Sequence, residues 1–196
     1  VAGGEFLLIA RKGMKSGKVP GRPDSRDWYR KQALAVQQVN ANRLMMDPNQ
    51  KDRQEILPGK MYCFFYDPKH KATLPYYDRF PLVFPLKMDG DGMLGINLHY
   101  LPHDMRAMLM DALYQLEDKR YRKDKKLRLS YEILNGAARF RYFKPCIKKY
   151  LFSHLRSRFL EIPYGDWDVA LMMPLERFEK QKKQTVWKES RQKVSK

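Results

Sequence analysis

Four residues, Asp89-Gly-Asp-Gly92, constrain this chain most. They separate two apolar runs, "DRFPLVFPLKM" (78–88) and "MLGINLHYL" (93–101). Glycine supplies the positive φ that tight hairpin turns require, so the two runs are predicted to pair as antiparallel strands. Proline cannot donate to a ladder, so Pro81 and Pro85 confine their strand to a sheet edge or to bulges. "GKMYCFFYD" (59–67) reads as a strand ahead of them, and "RFLEIP" (158–163) as a later one. Three strands in this order form a meander. With the fourth they give a small bent antiparallel sheet or a partly open barrel.

Helical periodicity accounts for much of the rest. Ser25 is placed to cap a helix from Arg26 to about Met46, with Trp28, Gln32, Ala35 or Val36, and Val39 at helical spacing. Asp47-Pro48 ends it. Met105, Met108, Leu109, Ala112, Leu113 and Leu116 form one stripe of a second helix, begun near His103 or Asp104. "RLSYEILNGAARF" is predicted as a shorter helix. "KPCIKKYLFSHLRSRF" is predicted as another, with Pro145 in its first turn and Ile147, Leu151 and Leu155 buried. "YGDWDVALMMPLERF" fits either strand or helix. The class is therefore α+β, a bent sheet packed with several helices plus extended arms. Residues 1–24 are expected to be a flexible basic arm, 25–175 a single domain and 176–196 a basic tail.

Apolar residues make up 43% of the chain, enough for a true core. The outlier is charge: 39 Lys and Arg against 22 Asp and Glu, a net of +17 over 196 residues. Such a field favours an anionic partner. Between Lys119 and Arg158 stand fourteen Lys and Arg against two acidic residues, a net of +12. Tyr121, Phe140, Tyr142, Phe143 and Tyr150 are interleaved with them. Lysine and arginine neutralise phosphates, and aromatic faces stack on unpaired bases. The candidate nucleic-acid or partner-binding cations are Arg120, Arg122, Lys123, Lys125, Lys126, Arg139, Arg141, Lys144, Lys148 and Lys149. The proline-rich stretch "YDPKHKATLPYYDRFPLVFPL" (66–86) adds Tyr76 and Tyr77, which either meet a partner or close the protein's own core.

Catalytic patterns are sparse. His99 and His103 are four apart, but Pro102 intervenes, so a shared zinc ion is not expected. The Asp89–Gly92 segment lacks the glutamate that closes a calcium loop. Asp166, Asp168 and Glu161 form the one acidic set in the basic half, with no lysine at a telling spacing. No phosphate-cradling glycine loop or nucleophile elbow is present. Cys63 and Cys146 make no disulfide framework. The expectation is a non-enzyme with no cofactor, no metal, no small-molecule substrate and no membrane span.

The motif string as a whole carries a resemblance. "YDPKHKATLPYYDRFPLVFPL", "GINLHYLP", "RAMLMDALY", "RFRYFKPCIKKYL", "RSRF" and "DWDVALMMPLERF", with a basic Trp-containing end, resemble small virion proteins of T-even-type contractile-tailed phages. The closest association is with the DNA end protector family, over roughly residues 25–192. The resemblance implies a virion protein, assembled in the host cytoplasm, that binds the terminus of the packaged DNA. It implies no catalytic residues. A structural component of the tail, neck or baseplate, docked on acidic neighbours or the portal, is the alternative.

Overall fold

The computed structural model describes residues 9, 11–19, 22–36, 39–47, 51–53, 55–117 and 143–195, with backbone alone for 51–53 and 112–117. Its centre is a six-stranded antiparallel sheet of β1 (Lys51–Arg53), β2 (Met61–Cys63), β4 (Leu82–Asp89), β5 (Gly92–Asn97), β6 (Ile147–Leu151) and β7 (Phe159–Ile162). The order across it is β1-β7-β2-β4-β5-β6, open at β1 and β6 and not closed into a barrel. β3 (Tyr77–Asp78) and β8 (Phe178–Glu179) form a separate two-stranded ladder.

The predicted meander is β2-β4-β5, and its hairpin turns where expected. Asp89 pairs with Gly92, and Gly90 takes a φ of 56°. β4 lies inside the sheet, but β2 pairs only with its Leu82 and Val83, so Pro85 has a partner, Gly95, on the β5 side alone. The register shifts between Pro85 and Lys87, a bulge that accommodates the missing N–H. The later strand, β7, adds beside β2.

Both faces of the sheet are covered, which explains the unbroken apolar run around β2. Met61 and Cys63 point into the larger core with Leu82, Phe84, Ile96 and the helices. Tyr62 and Phe64, one residue out of phase, enter an aromatic cluster with Tyr66, Val83, Met93, Tyr150 and Phe159. Phe64 meets Tyr150 and Phe159 edge-on at 5.3 and 5.2 Å, the arrangement ring quadrupoles favour.

Several expectations are corrected. The long first helix is two, α1 (Pro23–Ala35) and the short α2 (Ala41–Met45). Pro23 occupies the first turn of α1, so the helix starts ahead of Ser25, which is buried within it. α3 (His103–Glu117) forms as predicted, but with its inward face rotated. Arg106, Leu109 and Met110 are buried, while Met108 is 64% exposed. "KPCIKKYL" is not helical beyond a 3-10 turn at Lys144–Cys146, and Ile147–Leu151 is the edge strand β6. A spacing of four is common to both readings, because Ile147 and Leu151 share a face of a helix and of a strand. The free edge of β5 decides between them. The predicted helix over 128–140 lies outside the described residues.

Parts of both ends carry regular structure among the described residues. Residues 11–15 are helical, Ile9 is buried, and Gly13 sits so close to the Tyr29 ring that no side chain would fit. The ambiguous stretch yields helix α4 (Trp167–Met172), whose Trp167 packs edge-on against Phe84 at 4.9 Å. Residues 176–195 supply β8 and helix α5 (Lys183–Ser195), which buries Val186 and Ser190. The apolar residues Val186 and Trp187, spaced among the charges, give α5 a face to dock.

Candidate nucleic-acid interface

β6 places Lys148 and Tyr150 on one face and Lys149 on the other. Lys148 extends over the ring of Tyr100, its Nζ 4.2 Å from the centroid. Opposite stands the 66–78 stretch, and α5 closes a third side. Together they enclose a groove of about 580 Å³. Tyr66, Tyr76, Tyr77 and Tyr100 supply aromatic walls, and Lys69, His70, Lys148, Lys149 and Lys193 supply basic groups.

The loop forming one wall is held in place. Lys180, at a φ of 69°, donates from Nζ to the carbonyls of Lys71, Ala72 and Leu74 at 2.6, 2.9 and 2.9 Å. All three ammonium protons are thereby used. Lys71 pairs with Asp67 in turn, and His154 Nδ1 lies 2.8 Å from the Asp67 carbonyl. Tyr76 donates to Glu189 of α5 at 2.8 Å, and its ring leans on Tyr100 and Phe178. Burial and then Glu189 raise the Tyr76 phenol above its ordinary range, so it remains a donor.

The acidic groups at the groove are already matched. Asp78 accepts from Asn97 and the backbone N–H groups of Phe80 and Arg177, and lies 2.6 Å from His99 Nδ1. Asp91 and Asp89 both pair with Lys149, at 3.3 and 3.1 Å. Among the described residues, no carboxylate pairs with Lys69, Lys148 or Lys193. Burial, and then the nearby Lys193, weaken the hold of Lys148 on its proton. A desolvated lysine facing another lysine is a site that gains from an anion.

Beneath the groove, Arg106 ties α3 to the chain's last quarter. It is fully buried, donating to the carbonyls of Leu101 (2.7 Å), Leu171 (2.6 Å) and His99 (3.3 Å) and to Glu176 Oε1 (2.6 Å). Burial favours the neutral acid at Glu176, but Arg106, aided by His99 and Lys183, outweighs it and holds the carboxyl at about 2. Trp187 donates to the His99 carbonyl at 2.7 Å, which seats α5 on this network.

Of the sequence-predicted site residues, Tyr76, Tyr77, Lys148 and Lys149 converge on the groove. Lys144 is exposed at the 3-10 turn before β6. Arg120, Arg122, Lys123, Lys125, Lys126, Arg139 and Arg141 lie outside the described residues. Lys69, His70 and Lys193 were not among the candidates, although "PKHK" and the basic end carried the signal. Asp168 pairs with Arg30, and Glu161 with Lys60, so neither acid stands open to a metal. Among the described residues there is no His, Cys, Asp and Glu cluster suited to a metal ion, and no helix long and apolar enough to cross a membrane. Cys63 and Cys146 are both buried, and burial pushes the Cys146 thiol up to about 12, as for inert structural thiols.

A family model described as phage T4 terminal DNA protecting protein matches residues 24–194. The chain belongs to this family. The match spans both walls of the groove and agrees with the resemblance read from the motifs. Membership in the terminal DNA protecting family implies a phage protein of the virion that protects DNA ends. No curated protein and no solved structure gives a match.

Proposed function

We propose that this protein is a non-enzymatic cap on the terminus of packaged phage DNA, held there through its basic surface. One observation carries the reading: three lysines without carboxylate partners among the described residues, and five tyrosines, line a single groove in a chain of the terminal DNA protecting family. Lysines neutralise phosphates without reading bases, so binding is sequence-independent and salt-sensitive. The cations of 120–141 add charge for further phosphate contacts, as does Lys144, exposed before β6.

Exonuclease protection tests this. Linear duplex should survive digestion in proportion to bound protein, while Lys69→Ala/Lys148→Ala/Lys193→Ala should lose protection at unchanged fold. Protection that survives the triple substitution would move the DNA contact elsewhere. If the protein binds no DNA end but co-assembles with neck or tail proteins, the cap gives way to a structural role.

A further inference from the structure

We propose that the groove takes one unpaired nucleotide at the DNA end, with its base against Tyr77 and its phosphate between Lys148 and Lys193. This rests on the end-binding reading and deepens it. A cavity of about 580 Å³ is of small-ligand size. Inside a duplex each base is covered above and below by its neighbours, and even the terminal pair exposes one face only. A nucleotide released from the stack offers two.

The walls suit such a ligand. Tyr77 is half-buried, and among the described residues its side chain has no ring, cation or hydrogen-bonding partner. The Tyr76 and Tyr100 rings, 6.0 Å apart and tilted by 36°, are braced by Phe178. The carboxylates at the groove, Asp78 and Asp91, are engaged by protein groups. Among the described residues neither Lys148, which rests over the Tyr100 ring, nor Lys193 pairs with a carboxylate, and their mutual repulsion is relieved by an anion between them. Lys180 fixes the Tyr77 loop without any ligand, so little order must be gained on binding. The terminal base pair loses least on opening, because it stacks on one side only.

The test uses the full chain and fluorescence anisotropy with duplexes of equal length: blunt, carrying one unpaired terminal nucleotide, and closed at both ends by hairpins. The unpaired end should bind at least about tenfold tighter than the blunt end. Tyr77→Leu should abolish that ratio by lowering unpaired-end affinity at least about tenfold, and Tyr77→Phe should preserve it. 2-Aminopurine at the unpaired position should be quenched on binding to the unaltered protein, while three pairs inside it should not respond. That readout needs no variant to fold. Equal affinity for unpaired and blunt ends, or no response at the unpaired position, overturns the proposal. If the closed duplex is excluded in that case, end binding itself stands. If the closed duplex binds as well as the open ones, both readings fall.

Discussion

Replacing Arg106 by leucine should be the most damaging single change to the described interior. Its guanidinium is fully buried and makes four hydrogen bonds, one to the buried Glu176. Removing it leaves a carboxylate in the core with only His103 at 3.7 Å and Lys183 at 3.8 Å nearby. Breaking one side of such a pair costs about 3–5 kcal/mol. In urea, with a slope near 2 kcal/mol per M, the midpoint should fall by roughly 1.5–2.5 M. Arg106→Leu/Glu176→Leu removes both charges. The His99 carbonyl still receives Trp187, so the Leu101 and Leu171 carbonyls are the acceptors left without their donor. At about 1 kcal/mol each, the double variant should lose only about 2 kcal/mol. Circular dichroism across a urea series measures both. A single variant shifted by less than about 0.5 M, or a double variant no more stable than the single, would refute the account of Arg106 as partner to a buried charge.

The same network sets the acid response. Glu176 titrates at about 2 against an ordinary 4.5, so its stabilisation is complete above 4.5 and is lost as pH falls towards 2. His103, lowered by burial and then Arg106 from 6.5 to about 4, is protonated first in the unfolded chain. Stability should therefore also fall between pH 6.5 and 4, by up to about 3 kcal/mol for each group. His103→Gln should flatten the upper window alone in pH-dependent urea midpoints; an unchanged profile counts against it. Gly92→Ala should lower the melting temperature and displace β6, because a Cβ there would press into the Tyr150 carbonyl; a melting curve like that of the parent chain would contradict this. Lys148→Ala should reduce the salt slope of DNA binding by about 1, and Lys149→Ala by less, since Asp89 and Asp91 already occupy it. Equal slopes would reject that distinction.

The hairpin was legible because its turn chemistry is local: Gly90 needs no distant neighbour to adopt a positive φ. The β7 strand was legible from its boundaries and apolar content. β6 was not, because a period of four fits helix and strand alike, and a neighbouring strand edge is invisible in sequence. Arg106 was hidden for a different reason. An arginine inside an apolar stripe reads as surface unless its carbonyl and carboxylate partners are known, and these come from 99, 101, 171 and 176. Half of the groove was legible, as tyrosines in a rigid stretch and lysines in a basic one. Their meeting was not, because Lys193 reaches them only through the docking of α5.

The Lys180 clamp on the 71–74 carbonyls spans more than a hundred residues of chain, as does the bond from Tyr76 to Glu189. Closing loops of that length comes late in folding, after local turns and the hairpin have formed. The groove is thus absent from any partly folded intermediate in which the two walls have not met. On the end-cap reading proposed above, a chain whose walls have not met lacks the nucleotide site whatever its charge, so recognition of the end arrives only with the complete fold.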